Sequence, residues 1–388
     1  MSAPAAIVTG WGTVSPFGVG RAALAEALWR GATAFAARTF TTEHDLPPIE
    51  LWSASIPAFD PAAILGKKGL RGMSREALLW AVAAADALDD AALAAGGVDP
   101  EAAGVVVGSA RPGLDDYLGF HLDAQVWGPD RVRPVQGPNT GLNAAASHAT
   151  IRLGWRAVNT TLCAGLCSGL DAVAHAAGLI HEGAAEVILA GGVDALGYFS
   201  ARQLKAEGSW SHRAPRPYDR RRDGAVPGEG AVALVLESER HAAARGARIR
   251  GRLTAFEQGF HLGLGEAASR LAGWLGRTRA TAAIGSASGD RLLDAAEGRA
   301  CAAAPGLPVA AVKGAAGEWH GGSGALQLAT ALEAIERRAL PPTAALEELD
   351  PELPLSASPA PREIDPARIA LPAIDPAGHL SFMIAGPP

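Results

Sequence analysis

Four short runs of apolar and β-branched residues, rich in glycine and alanine, constrain the fold of this chain most strongly. They are AAIVTG, AGVVVGSA, AEVILAGG and GAVALVLE, which begin at residues 5, 103, 185 and 230. Such runs are typical of strands that are buried on both faces of a sheet. Between them, segments 75–93 and 169–183 have the wide apolar face of a packed helix. Strands that alternate with helices predict an α/β protein.

Composition narrows the class of protein further. A chain of 388 residues that is 48% hydrophobic can bury a large core, in two domains or in one α/β unit. A net charge of −6 argues against nucleic acid as the main partner. Three cysteines are too few for a disulfide framework, so we expect a reducing, cytoplasmic location. No apolar run reaches the roughly 18 to 20 residues that cross a membrane.

Two glycine-rich segments lack residues that ligand-binding or hydrolytic motifs need. In GWGTVS, Ser15 replaces the third glycine of a dinucleotide-binding turn, so we interpret this segment as a tight turn after the first strand. In GSASG, Ala287 stands where the nucleophile elbow of a hydrolase has serine. The sequence therefore predicts no cofactor and no metal. The proline-rich segment 360–380 is predicted to be irregular.

A weak internal repeat connects the two halves of the chain. SGLDAVAHAAGLIHEG begins at Ser168, and SGALQLATALEAIERR begins at Ser323. Both segments follow a glycine-rich turn, and both place apolar residues in the same register. The repeat suggests a duplicated architecture in which two central helices face each other.

Several segments together resemble the β-ketoacyl synthase family over nearly the whole chain. RPYDRRRDGAVPGEGAVALVLE is the most specific of them, and the others are IVTGWGTVSPFGVG, GVVVGSARPGL, NTTLCAGLCSGLDAV, LLDAAEGRA and VKGAAGEWHGGSGAL. The resemblance implies a thiolase-like fold, a layered αβαβα sandwich of two similar halves. We place the halves at residues 1–245 and 246–388.

The resemblance also locates the positions of the family's catalytic Cys, His and His. Counting from the helix that opens at Ser168-Gly169 places the nucleophile position at Leu166. The first histidine position falls on Ser286, and the second on Glu318. A leucine cannot attack a thioester, and a carboxylate cannot replace an imidazole donor unless it is protonated. All three catalytic side chains are thus replaced.

Supporting parts of the family's site differ in what they retain. Lys313 and Glu297 match a supporting Lys–Glu pair and are present. The family's C-terminal Gly-Phe-Gly-Gly turn, which helps to bind the oxyanion, falls near residues 374–379. Asp375 adds negative charge there and Pro376 has no N–H, so we expect a poor oxyanion site.

A retained scaffold without its catalytic residues resembles the chain length factor, or ketosynthase-β, of type II polyketide systems. The resemblance implies a heterodimer with a ketosynthase whose Cys-His-His residues are intact. Pairing would be antiparallel across the strand at about 157–163. Acyl groups would arrive on the phosphopantetheine of an acyl carrier protein. Those proteins usually carry Gln at the nucleophile position, and Leu166 favours a structural role in which it plugs an acyl pocket.

Other side chains offer alternatives to this interpretation. Cys163 should lie in a buried strand, Cys167 follows Leu166 at the start of a helix, and His320 lies two residues past Glu318. A helix start lowers a thiol pKa, but one step along it turns the Cys167 side chain about 100° away from the pocket. A repurposed acyltransferase or hydrolase would use Cys167, Ser286 or Glu318. A homodimeric protein that binds acyl-carrier cargo is the third hypothesis.

Overall fold

The computed structural model of the chain describes residues 6–208 and 210–388. Its strands, in chain order, are β1 (Ala6–Ser15), β2 (Gly18–Val19), β3 (Ala36–Phe40), β4 (Ile49–Ser53), β5 (Ala103–Gly108), β6 (Val158–Leu162), β7 (Val187–Asp194), β8 (Gly230–Glu237), β9 (Gly251–Phe260), β10 (Ala282–Gly285), β11 (Pro308–Ala311), β12 (Ala339–Leu340), β13 (Ser356–Ala357), β14 (Arg362–Glu363), β15 (Ile369–Ile374) and β16 (His379–Gly386). The four strands predicted from apolar runs form as β1, β5, β7 and β8, although residue 5 lies outside the described residues.

The helices alternate with these strands. They are α1 (Arg21–Trp29), α2 (Pro61–Leu65), α3 (Arg75–Asp90), α4 (Leu114–Trp127), α5 (Ala144–Leu153), α6 (Ser168–His181), α7 (Tyr198–Glu207), α8 (Glu239–Ala244), α9 (Leu264–Thr278), α10 (Arg291–Ala300), α11 (Lys313–Ala316) and α12 (Ser323–Arg337). The helices predicted at 75–93 and 169–183 are thus confirmed as α3 and α6, each ending a few residues early. In the part of the chain that the structure describes, no helix is long and apolar enough to cross a membrane.

The large sheet has the same strand order twice. From its centre outward, one side runs β1-β8-β7-β5-β6 and the other runs β9-β16-β15-β10-β11. In both halves the first two pairings are antiparallel and the next two are parallel. β1 and β9 join the halves as an antiparallel pair. The predicted duplicated α/β architecture is therefore confirmed, and a division at residue 245 would fall between α8 and β9.

Three buried clusters of apolar side chains give the layers of the sandwich. The central cluster contains α6 and α12 together with the inward face of both halves of the sheet. A second cluster packs α3 and α5 on the outer face of the first half. A third packs α9 and α10 on the outer face of the second half. The order helix, sheet, helix, sheet, helix is the predicted αβαβα sandwich.

The two central helices approach closely at their starts. A Cβ on Gly169 would lie 2.6 Å from the carbonyl oxygen of Gly321, and a Cβ on Gly324 would lie 2.8 Å from the backbone nitrogen of Leu170. Glycine is required at both positions because backbone atoms cannot move aside cheaply. The helix pair that the repeat predicts is therefore present, and its first turns are in contact.

The prediction of an irregular segment at 360–380 is wrong, since β14, β15 and the start of β16 lie within it. Pro372 is tolerated inside β15 because β10 pairs only with Ile369 and Ala370, before the proline is reached. On its other side, β15 continues to pair with β16, where Pro372 lies opposite Phe382.

Candidate functional site

Two equivalent turns meet where α6 and α12 begin. Residues Gly165–Cys167 form a 3-10 turn before α6, and His320–Gly322 form one before α12. The hydroxyl of Ser168 accepts the N–H of Ala164 at 2.9 Å, and the hydroxyl of Ser323 accepts the N–H of Trp319 at the same distance. Equivalent serine hydroxyls therefore close both turns; Leu166 lies within the first turn, and Glu318 lies just before the second.

Leu166 lies half-buried in the first turn, and its backbone N–H is already hydrogen-bonded. The N–H donates to Oδ2 of Asp375 at 2.8 Å. Asp375 begins the turn between β15 and β16 and is only 6% exposed. An amide at a nucleophile position is a donor for an oxyanion, and here a carboxylate of the same chain takes it.

Glu318 lies two residues before the second turn as a buried acceptor. Lys313 donates from Nζ to Oε2 of Glu318 at 2.7 Å, and both side chains are at most 3% exposed. Oε1 of Glu318 accepts the N–H of His320 at 3.0 Å and also the hydroxyl of Ser323. Both oxygens of the Glu318 carboxylate are therefore occupied, and the side chain is held in place.

Lys313 and Glu297 are both buried near the site, but their hydrogen bonds go to different residues. Among the described residues, the salt bridge of Lys313 is with Glu318. Glu297 instead accepts the hydroxyl of Tyr218 at 2.9 Å and the N–H of Ser286 at 2.8 Å. Glu318, five residues after Lys313, neutralises the charge of Lys313. Glu297 is hydrogen-bonded to Tyr218 and Ser286 instead.

Ser286 follows β10, and its N–H donates to the Glu297 side chain on α10. Burial raises the pKa of Glu297, and the ammonium of Lys313 acts in the opposite direction. Asp294, one turn earlier on α10, accepts the N–H of Tyr218 at 3.0 Å, and burial raises its pKa to about 7. Asp294 and Glu297 thus accept hydrogen bonds from backbone N–H groups around Ser286. Glu297, the carboxylate that could act as a base for Ser286, is also hydrogen-bonded to Tyr218.

The three cysteines occupy different environments. Cys163 is exposed just after β6, so the prediction of a buried Cys163 is wrong; β6 ends the large sheet, and its outer side is open in the described residues. Cys167 is buried, its Sγ lies 3.6 Å from the carbonyl oxygen of Ala373, and its pKa is raised by burial, then by Asp171 and Asp375. Cys301 is also buried, and its pKa is raised to about 12. The dipole of α6 therefore does not produce a thiolate at Cys167.

His320 turns toward a cluster that sequence reasoning missed. Its Nδ1 lies 2.8 Å from Nη2 of Arg111, and burial lowers its pKa well below 6.5, so the ring is neutral and accepts from the guanidinium. Asp194 accepts the N–H of Ala110 at 3.0 Å and that of Gly321 at 2.6 Å. The available signal was topological, since Arg111 and Asp194 lie at the carboxyl ends of the adjacent parallel strands β5 and β7.

A surface groove of about 780 Å³ runs beside the first turn. Residues that follow β6, one face of α6 and part of β9 line it, including Leu162, Cys163, His175, Leu179, Phe256 and Gln258. Leu166 is not among the lining residues. The groove therefore runs along β6, α6 and β9 without including Leu166.

Comparison with known proteins agrees with this geometry. Residues 5–242 match the sequence profile of the N-terminal domain of β-ketoacyl synthases. The chain is 32% identical over 385 residues to the tetracenomycin polyketide synthase ketoacyl synthase alpha subunit of Streptomyces glaucescens, a match that covers 90% of this chain and 89% of that protein. It is 32% identical over 269 residues to 3-oxoacyl-(acyl-carrier-protein) synthase 2 of Vibrio harveyi.

The extent of these matches differs. The second match covers 66% of this chain and 63% of the Vibrio harveyi protein, which is less than two thirds of that relative's length. Among solved structures, the ishigamide ketosynthase/chain length factor superposes with a TM-score of 0.87 at 24% identity, over all of both chains. At that identity the likeness establishes the shared thiolase-like fold.

Proposed function

The chain belongs to the β-ketoacyl synthase family, and from that premise we propose that it is a non-catalytic ketosynthase-like subunit of the chain length factor type. It pairs with an active ketosynthase and shapes the tunnel in which a polyketide or fatty-acid-like chain is elongated. The partner supplies Cys-His-His, and this chain supplies a surface.

The position of Leu166 carries the proposal. It lies in the turn that opens α6, where the family places its nucleophile, and it presents a hydrocarbon side chain. Its N–H is engaged by Asp375, and the Glu318 position is held by Lys313 and Ser323. Covalent catalysis needs a nucleophile, a base and free oxyanion donors at one place, and these contacts leave none of the three roles to the family positions.

The edge of the sheet supports a partner of the same fold. β6 bonds to β5 on one side, and the structure describes no strand on its other side. An open edge strand pairs readily with a second strand, and the predicted pairing segment 157–163 includes β6. The groove beside it, lined by Cys163, Leu179 and Phe256, would be closed by the partner into a tunnel wall.

An acyl carrier protein is the expected source of the growing chain. The Vibrio harveyi relative is named for synthesis of 3-oxoacyl-acyl-carrier-protein. We expect the carrier to dock on the complex mainly through the catalytic partner, because the thioester has to reach that partner's cysteine.

The alternative is a repurposed acyltransferase or hydrolase that uses Cys167, Ser286 or Glu318. Burial and the raised pKa of Cys167 disfavour a thiolate there. Glu318 is occupied by Lys313 and two further donors, so its carboxylate is not available as a base for Ser286. The homodimeric binding protein differs from the main proposal only in its partner.

Co-purification separates these functions. The chain is expressed alone and together with a ketosynthase whose three catalytic residues are intact, and the masses in solution are measured by analytical ultracentrifugation. We expect a 1:1 complex that excludes self-association. A self-dimer that persists in the presence of the ketosynthase would support the homodimeric alternative, and turnover of acyl thioesters by that self-dimer would support the enzyme.

A further inference from the structure

One backbone donor of the site holds an internal anion. Oδ2 of Asp375 accepts the N–H of Leu166 at 2.8 Å, and Oδ1 accepts the N–H of Ala377 at 2.7 Å. The carboxylate comes from the second half of the chain, whereas Leu166 belongs to the first. The contact therefore joins the two halves at the point where the family's chemistry takes place.

The local backbone is shaped to admit this carboxylate. Gly165 has φ +55°, and a Cβ there would overlap the Asp375 carboxylate, so glycine is needed both for conformation and for space. On the opposite side, the carbonyl of Asp375 accepts from Nε2 of buried His261 at 3.0 Å. The N–H of Asp375 donates to the carbonyl of His379 at 2.9 Å. The side chain is thus fixed by its own backbone as well as by Leu166.

We propose that Asp375 is a built-in anion that occupies the oxyanion position beside Leu166 and so excludes thioester carbonyls from this turn. The inference rests on the proposed function, because it explains how the emptied site stays closed. A hydrogen-bond donor stabilises a developing oxyanion only if it is free to point at it, and a second negative charge a few ångströms from a carboxylate is repelled.

If Asp375 occupies this position, a thiol placed at residue 166 is not sufficient for acylation. In L166C the new thiol would lie beside the Asp375 carboxylate, which disfavours the thiolate, and its own N–H would be occupied. D375N is the matched variant: the charge is gone, and its one amide oxygen can still accept one of the two N–H groups. D375A removes both the charge and the acceptor.

The experiment compares L166C, L166C/D375N and L166C/D375A in a C163S background, with an octanoyl N-acetylcysteamine thioester as the probe. The thiolate attacks the carbonyl carbon, a new C–S bond forms, and N-acetylcysteamine leaves and takes up a proton. Intact mass follows the rate. We expect L166C/D375A to be acylated at least about tenfold faster than L166C, with L166C/D375N between them. Iodoacetamide rates against pH should place the thiol pKa lowest in the two double variants.

Equal acylation rates in the three variants, including no acylation of any, would overturn the inference, as would equal thiol pKa values. Because D375A removes two hydrogen bonds and D375N removes one, thermal unfolding is measured for each variant, and L166C/D375N, which keeps one acceptor oxygen, has to be acylated faster than L166C if the D375A variant does not fold. The unsubstituted chain is assayed separately for turnover. Activity there would contradict the proposed function without bearing on whether Asp375 occupies the Leu166 N–H.

Discussion

The ammonium of Lys313, the first residue of α11, lies 2.7 Å from the carboxylate of Glu318, and both side chains are buried. The resemblance to the β-ketoacyl synthase family assigns a histidine to position 318. A carboxylate there changes the charge of the site and changes which residue neutralises the lysine. The residue that replaces the predicted catalytic histidine therefore also stabilises the fold, through its buried salt bridge with Lys313.

Replacing Glu318 by glutamine should therefore destabilise the protein strongly. Glutamine keeps the size and an acceptor oxygen for the N–H of His320, but Lys313 is left as an uncompensated buried charge. Breaking a buried pair in this way costs about 3 to 5 kcal/mol of unfolding free energy. Urea unfolding measures it, with Glu348→Gln as the control because the Glu348–Arg220 pair is exposed. Similar unfolding midpoints for both variants would show that the ion pair is not a structural element.

Tyr218 and Gly285 should be coupled. A Cβ on Gly285 would overlap the Tyr218 hydroxyl, which donates to Glu297 at 2.9 Å. Gly285→Ala should cost about 1 to 3 kcal/mol by overpacking, and Tyr218→Phe a similar amount by leaving the buried Oε2 of Glu297 without its donor. The double variant should be more stable than the sum of the two predicts, since phenylalanine frees the space.

The control for this cycle is Gly276→Ala in α9, where a Cβ meets nothing within 4 Å. Alanine at that position should stabilise the protein by about 0.5 to 1 kcal/mol. Strict additivity of Gly285→Ala and Tyr218→Phe in chemical denaturation would contradict the coupling.

Glu76 should make stability fall as the pH rises. Burial, and then Asp194, raises its pKa from 4.5 to about 8. Between these values the folded state holds a proton that the unfolded state releases, so folding loses up to about 1.4 kcal/mol per pH unit as pH rises from about 5 to 8. Glu76→Gln mimics the protonated form and should flatten this slope in urea unfolding. Exposed Glu101→Gln should run parallel to the unsubstituted protein, and an unchanged slope in Glu76→Gln would refute the assignment.

Cysteine labelling should distinguish the three thiols and report on the partner surface. In the folded chain at about pH 9, iodoacetamide should modify Cys163, while buried Cys167 and Cys301 react only after unfolding. Because Cys163 lines the groove beside β6, complex formation with a ketosynthase should slow its labelling. Peptide mass spectrometry measures the sites. Unchanged labelling of Cys163 in the complex would place the interface on another face.

Most of the architecture could be predicted because each strand or helix leaves a pattern of apolar residues in a short stretch of sequence. Apolar runs gave β5, β7 and β8, and the Ser-Gly starts at Ser168 and Ser323 gave the central helices and their mutual packing. The prolines around Pro372 led to the wrong prediction of an irregular segment. A proline is compatible with a strand wherever the neighbouring strand has already ended. That condition depends on the sheet and cannot be read along the chain.

The sequence predicts positions for the site, and these stay predictions: counting from Gly169 points to Leu166, and counting from Lys313 points to Glu318. Their contacts could not be predicted. The partners of these residues come from far along the chain: Asp375 lies 209 residues from Leu166. Cys163 was misjudged because burial at an edge strand depends on what lies beyond the edge. Whether Lys313 pairs with Glu318 or with Glu297 depends on how far each side chain reaches in the folded structure.

In the proposed complex, this chain contributes a surface and its partner contributes the chemistry. The most direct test is turnover of malonyl- and acyl-loaded carrier protein by the chain alone, by an intact ketosynthase with the chain, and by the same complex after the ketosynthase's cysteine is replaced by alanine. Of these three samples, we expect only the intact complex to form elongated product. Elongation by this chain without a partner, or by the complex that lacks the partner's cysteine, would contradict the proposed function.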